Sequence, residues 1–170
     1  MSDSLFLDPF AHPPSREPAD STSMGGDRAG GSAPASLAAD IPLPPERAVE
    51  AFLEYVHLWW PVTLRACGED SHLGFEDGAL LEEGLDGTQY RWAKVVGIEG
   101  ASLALRWFGA AHGPAGGAGV DVAVTFAAEP QGETRVGVLG SGPASSLEDW
   151  QPALEGFARF TGGTVRTAGA

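Results

Sequence analysis

The chain has 170 residues, which fits one domain of ordinary size with a tail. It carries 10 basic and 23 acidic residues, which gives a formal net charge of −13. Binding to the phosphates of a nucleic acid needs clustered Lys and Arg, so we expect no nucleic-acid partner. A single cysteine excludes an internal disulfide framework. No apolar run approaches the ~18–20 residues that span a bilayer and no secretion signal is visible, so we expect a cytoplasmic protein without a membrane partner.

Residues 1–33 differ in composition from the rest of the chain. They are rich in Ser, Pro and Gly, and their one large apolar cluster is Leu5-Phe6-Leu7 with Phe10. Such a segment buries too little apolar surface to offset the entropy of ordering its backbone. We therefore predict a disordered acidic tail over 1–33, a compact domain over 34–163 and a frayed C-terminus over 164–170.

Apolar residues alternate with polar or small ones in several segments of the predicted domain. This period of two is typical of half-buried strands in an antiparallel sheet. Turn residues such as Asp86-Gly87 and Glu99-Gly100 separate the rows. The rows lie at 37–43, 90–92, 103–107, 120–126 and 134–138.

Two segments have helical periodicity instead. The first follows Pro44-Pro45, which suits a helix start, and is predicted to end near Trp59-Trp60, because Pro61 disfavours helical geometry in the residue before it. The second follows a capping-box pattern at Ser145 and Glu148 and ends at Gly162-Gly163. Its apolar stripe comprises Leu147, Trp150, Leu154, Phe157 and Ala158. A run of strands with helices at its ends predicts an α+β fold.

The order of these elements, with particular residues, resembles the helix-grip fold of the START-like (SRPBCC) superfamily, and within it the branch of activator-of-heat-shock-protein-ATPase-like domains. The resemblance covers roughly 35–162. Ala93 replaces a common glycine, and Leu139-Gly140 replaces a common Glu-His pair. The matching features are Ile41-Pro42-Leu43-Pro44-Pro45-Glu46, Trp59-Trp60-Pro61, Leu81-Glu82-Glu83, Asp86-Gly87, Tyr90-Arg91-Trp92-Ala93-Lys94-Val95, Leu103 to Trp107, Val122 to Phe126, Thr134-Arg135-Val136, and Trp150 with Leu154.

The resemblance implies a curved antiparallel sheet of about six or seven strands around a long C-terminal helix, with a short helical hairpin after the first strand. It also implies an apolar ligand cavity between sheet and helix. The candidate lining residues are Trp60, Phe75, Tyr90, Trp92, Lys94, Trp107, Phe126, Trp150, Leu154 and Phe157. A core filled by these side chains is the alternative. Lys94 would face the cavity in a regular strand and solvent if the strand contains a bulge.

Other clusters are poor candidates for chemistry. Cys67 and His72 match no zinc-ligand spacing, and the glycines at 140–142 precede Pro143 without a following Lys. Neighbouring acids such as Glu82-Glu83 point to opposite faces of a strand, so at most one of them can enter a pocket. We predict no catalytic residue, no metal and no cofactor.

The function expected from these features is binding of a small hydrophobic molecule without a catalysed reaction. Two alternatives follow from the same resemblance. One is a cyclase- or hydrolase-like enzyme, which needs a polar pair inside the pocket. The other is a chaperone-interacting module, which a large exposed apolar patch on the sheet would favour.

Overall fold

The computed structural model describes residues 36–109, 118–142 and 147–166, all in one compact unit. The predicted tail over 1–33 and the predicted capping residue Ser145 lie outside the described residues. The helices are α1 (Pro45–Glu54), α2 (Val56–Trp59) and α3 (Trp150–Thr161), with 3-10 turns at Val62–Leu64 and Pro130–Gly132. The strands are β1 (Ser36–Ile41), β2 (His72–Glu76), β3 (Ala79–Glu83), β4 (Gln89–Glu99), β5 (Ser102–Trp107), β6 (Val120–Ala128), β7 (Thr134–Gly140) and β8 (Thr164–Arg166).

The strands form one curved antiparallel sheet in the order β2-β3-β4-β5-β6-β7-β1-β8. Alternate residues face the core as the sequence predicts; Val122, Val124 and Phe126 of β6 are all buried. This confirms the α+β class, although the described part of the chain contains eight strands rather than six or seven.

Residues 164–166 form strand β8, so the prediction of a frayed C-terminus is wrong for these three residues. Gly162 adopts a left-handed conformation (φ 79°), which ends α3 and turns the chain back toward the sheet. There, β8 pairs with the otherwise open edge of β1, and the Arg166 Nε lies 2.5 Å from an Asp40 carboxylate oxygen. Backbone pairing at an available edge explains this strand, which has no strong apolar periodicity.

Strand β4 contains an irregularity that determines on which face of the sheet Lys94 lies. Leu80 pairs with Ala93 and Leu81 with Arg91, so Trp92 is an extra residue on β4. Because of this bulge, Trp92 and Ala93 are both buried and Lys94 is exposed. Lys94 is therefore not a pocket residue, which corrects its assignment to the cavity.

The predicted first helix is divided in two. Tyr55 has a non-helical conformation (φ −108°, ψ 24°) and separates α1 from α2. As the sequence predicts, the helical segment ends at Trp59, and Trp60 is extended before Pro61. This break lets the chain turn so that Phe52 of α1 and Trp59 of α2 are both buried.

Helix α3 packs one face against the inner side of the sheet. Its buried residues include Trp150, Leu154 and Phe157. Pro152 lies in the first turn, where its missing N–H removes no helical hydrogen bond. Gly156 faces the carbonyl oxygen of Trp59, and a Cβ atom added there would collide with that oxygen. This close approach sets the position of α3 against residues 59–61.

A buried carboxylate fixes the loop that follows α2. Glu82 of β3 is completely buried, and its Oε1 accepts hydrogen bonds from the Cys67 backbone N–H (2.8 Å) and the Ser71 hydroxyl (2.6 Å). Its Oε2 accepts from the Ala66 backbone N–H (2.9 Å) and the Trp92 indole N–H (2.8 Å). Four donors from two parts of the chain thus converge on one side chain.

Two opposing effects act on the pKa of Glu82. Burial raises it, because a carboxylate loses its hydration inside the protein. The hydrogen bonds from Ser71, Cys67, Ala66 and Trp92 stabilise the ionised form and outweigh burial, so the pKa lies below its usual value. Glu82 is therefore ionised at neutral pH and serves as an anchor for the loop.

Replacing Gly156 by alanine tests the contact with Trp59. Alanine favours a helix over glycine by roughly 0.5–1 kcal/mol, but its Cβ would displace the Trp59 backbone, and overpacking costs about 1–3 kcal/mol. We expect Gly156→Ala to lower the free energy of unfolding measured by urea denaturation. Gln151→Ala, at an exposed position of α3, is the control and is expected to be neutral. A Gly156→Ala variant as stable as the parent would contradict the close approach.

Replacing Glu82 by glutamine tests the buried anchor. The amide nitrogen of glutamine cannot accept a hydrogen bond, so we expect a loss of about 2–4 kcal/mol of unfolding free energy at pH 7. A lowered pKa contributes stability above the unfolded value of about 4.3, and this contribution disappears as the pH falls through the folded pKa.

The difference between parent and variant is therefore expected to shrink in acid, for example between urea curves at pH 7 and pH 3. Glu83→Gln, at the exposed neighbouring position, is the control, with an expected change within about 0.5 kcal/mol. A difference for Glu82→Gln that does not depend on pH would refute the role of its charge.

Candidate functional site

Four tryptophans meet between the sheet and α3. This tryptophan cluster consists of Trp60, Trp92, Trp107 and Trp150. The ring centroids of Trp60 lie 5.3 Å from Trp92 and 5.9 Å from Trp107, and Trp107 lies 4.8 Å from Trp150. Tyr90 adds to one side at 5.0 Å from Trp92, and its hydroxyl donates a hydrogen bond to the Gly109 carbonyl at 2.5 Å. All five side chains are buried.

A second aromatic cluster adjoins the first. Phe52 lies at its centre, with ring centroids 5.4 Å from Phe126, 5.3 Å from Phe157 and 4.8 Å from Trp59. Phe52 also stacks on Trp150 at 6.5 Å, which joins the two clusters. Leu154, the remaining candidate on α3, is 2% exposed and belongs to the same core.

The sequence-predicted lining residues therefore pack mainly against one another. The structure brings together eight of the ten candidates as a continuous aromatic and aliphatic core. Phe75 is only partly buried and packs on the edge of this core, with its ring 6.2 Å from that of Phe52, whereas Lys94 is exposed. These contacts occupy the space where the sequence analysis placed a cavity. Each aromatic ring buries a large area, and the rings meet at distances typical of favourable pairs.

An open groove lies on the flank of α3 instead. This α3 groove has a volume of about 500 Å³ and runs between residues 58–63 and one side of α3. Pro152, Gly156 and Phe160 follow at four-residue spacing along that side. Gly156 and Trp59, whose backbones approach each other closely, are both among the lining residues of the groove. Its lining residues are Leu58, Trp59, Trp60, Pro61, Val62, Thr63, Pro152, Glu155, Gly156, Arg159 and Phe160.

Exposed apolar side chains concentrate at this groove. Of the eight large hydrophobic residues that are exposed in the described part of the chain, three line the groove and a fourth, Tyr55, lies next to it. Leu58 is 59% exposed and Val62 48%, and the ring of Tyr55 contacts that of Phe160 at 6.2 Å. Contiguous apolar surface of this kind is typical of binding sites.

Trp60 connects the groove to the tryptophan cluster. It lines the groove and also contacts Trp92 and Trp107. The indole N–H groups of Trp60 and Trp150 are buried, and neither has a hydrogen-bond acceptor among the described residues. A buried donor without a partner costs about 1–3 kcal/mol. The cluster thus contains two unused donors.

Phe75 lies at a second groove, of about 550 Å³, between α1 and β2. His57 and His72 are at its rim, with ring centroids 6.4 Å apart, and His72 Nε2 lies 3.3 Å from Glu76 Oε1. Nevertheless, within 36–109, 118–142 and 147–166, no group of three or more His, Cys, Asp or Glu side chains is arranged to hold a metal ion. Over the same residues, no helix has the length and apolarity to cross a membrane.

Of the residues that line the α3 groove, Trp60 alone is among the ten candidates predicted from the sequence. Gly156 could have been recognised from the sequence, because a glycine inside a helix often marks a close approach of another part of the backbone. Glu82 carried another signal: it shares a strand face with Leu80, so the period of two already directs it inward. Arg159 and Glu155 had no comparable signal, since charged residues on a helix usually face solvent.

Comparisons with known proteins agree with this architecture. No protein-family model and no curated protein sequence matches the chain. Among solved structures, the self-sacrificing resistance protein CalC from Micromonospora echinospora has 19% identity over 75% of this chain and 93% of its own, with a TM-score of 0.52. The anthrahydroquino-γ-pyrone synthase Txn09, complexed with SUM, has 20% identity over 74% of this chain and 95% of its own, with a TM-score of 0.51.

A third similar structure is an HSP90 activator from Plasmodium falciparum. It has 12% identity over 78% of this chain and 99% of its own, with a TM-score of 0.50. At these identities the likeness concerns the fold and no activity. The curved eight-stranded sheet, the helical segment after the first strand and the C-terminal helix packed on the sheet form a helix-grip fold, which this chain shares with these three solved structures.

Proposed function

We propose that this domain binds a small apolar molecule in the α3 groove, with no catalysed reaction. The observation that carries the proposal is the concentration of exposed apolar side chains around a concave volume of about 500 Å³. Sites for small molecules typically have volumes of about 300–1,000 Å³, with apolar walls and few polar groups. The groove meets both conditions, because Glu155, Arg159 and Thr63 are the polar residues among its lining side chains.

The tryptophan cluster supports this position for the ligand. Its rings fill the space between the sheet and α3, so a ligand is accommodated more readily beside Trp60 than in the interior. The Trp60 indole N–H lacks an acceptor among the described residues. A ligand acceptor that reached this donor through a rotation of the ring would supply a hydrogen bond that the protein does not provide.

The enzyme alternative has less support. An acid–base pair must be positioned at the substrate and free to exchange a proton. Glu82 is the buried carboxylate among the described residues, but it does not line the groove, and its two oxygens already accept four hydrogen bonds. It acts as a structural anchor, and the binding proposal needs no such pair.

A chaperone interaction is a second candidate, favoured by the outer face of the sheet. A hollow of about 320 Å³ lies there around Ala104 and Ala123, and Val96 (64% exposed) and Leu139 (48% exposed) stand beside it. The HSP90 activator shares the fold, which makes an HSP90-type chaperone the partner to test.

Probe binding tests the primary proposal. N-phenyl-1-naphthylamine is an uncharged apolar fluorophore of suitable size, and we expect saturable binding of one molecule per chain. Phe160→Ala removes apolar contact from the groove wall at a half-exposed site, so we expect affinity to fall about three- to tenfold with little change in stability. Leu85→Ala, at a position 85% exposed and outside the groove, is the control. Absence of saturable binding, or equal affinity in all three proteins, would refute the proposal.

A direct binding assay with a purified HSP90-type chaperone tests the second candidate. We expect Leu139→Asp to weaken the complex by about tenfold or more, because a buried charge replaces an apolar contact. Leu85→Asp provides the matched change at an exposed site away from the hollow. If the parent chain does not bind the chaperone, or the two variants bind alike, the second candidate is excluded.

A further inference from the structure

We infer that the ligand of the α3 groove is an apolar anion whose carboxylate or sulfonate group pairs with Arg159. This inference rests on the proposed function, since it specifies the chemistry of the molecule bound in that groove. It names a class of ligand: a compact apolar body with one acidic group at its edge.

Arg159 is a cationic side chain without an ion-pair partner among the described residues, and it lies beside an apolar groove. It lines the groove from the last turn of α3, is exposed, and has no ion pair or side-chain hydrogen bond among the described residues. By contrast, Arg47, Arg106, Arg135 and Arg166 each lie within ion-pair distance of a carboxylate. In a chain with net charge −13, an arginine that is left unpaired beside an apolar groove stands apart from most of the others.

Glu155 does not form an ion pair with Arg159. It is four residues before Arg159 on α3, a spacing that permits an ion pair between them. Its Oε1 accepts a hydrogen bond from Gln151 Nε2 at 3.4 Å instead, in the direction of the preceding turn. The two charged residues of the groove therefore remain separate, and the guanidinium is available to a ligand.

The guanidinium group suits such a ligand for two reasons. Its planar arrangement of donors matches both oxygens of a carboxylate or sulfonate. Apolar neighbours also reduce screening by water, so a charge pair at the groove edge is stronger than one in open solvent. Arg159 additionally lies near the C-terminus of α3, where a cation stabilises the helix dipole, but that effect does not depend on ligand charge.

A matched pair of probes separates these roles. 1-Anilinonaphthalene-8-sulfonate and N-phenyl-1-naphthylamine share one arylamine skeleton, and only the first carries a sulfonate. We expect the parent protein to bind the sulfonate more tightly, by about fivefold, and Arg159→Gln to abolish this preference. Glu155→Gln removes a negative charge from the same groove and is expected to change the preference in the opposite direction, toward the sulfonate.

The outcomes distinguish this inference from the proposed function. If neither probe binds saturably, the groove is not a small-molecule site and both proposals fail. If the uncharged probe binds but the sulfonate is not preferred, or if Arg159→Gln keeps the preference, the anionic ligand is excluded and the apolar site remains. A purely structural role of Arg159 alters the denaturation midpoint of the variant and leaves the ratio of the two affinities intact, which would also overturn the inference.

Discussion

Helix α3 and residues 59–61 approach each other so closely that one position between them has no room for a side chain. Gly156 meets the Trp59 carbonyl, and Trp59 and Trp60 then turn their rings into the interior. From there Trp60 reaches Trp92 and Trp107 on the sheet. The packing of the interior and the shape of the groove beside α3 both depend on this single contact.

The open space in this domain lies beside α3, because the interior between the sheet and α3 is filled. Interiors are close-packed, so a core already filled by large aromatic rings has no room for another molecule without rearrangement. The tryptophan cluster fills the region between sheet and helix, whereas a groove of about 500 Å³ lies on the flank of the helix. The concave surface of this domain therefore lies beside α3 and not between α3 and the sheet.

The buried polar groups of the core differ in whether they have hydrogen-bond partners. Glu82 has four donors and keeps the loop over 65–71 against β3, although its burial alone would favour the neutral acid. The indoles of Trp60 and Trp150 have donors without acceptors in the described residues. Satisfied groups rigidify a structure, while unsatisfied ones mark the places where a further molecule can contribute.

The sequence alone determined the α+β class, the strand rows, both helical regions and the identity of the aromatic residues that meet in the core. These features are periodic and therefore local. Tertiary structure decided the rest. A bulge at Trp92 turned Lys94 to solvent, and an open edge on β1 ordered 164–166 as a strand. The groove forms where residues 58–63 meet α3 at Gly156, and these segments are distant in sequence. No local sequence pattern specifies which distant backbone a glycine will face.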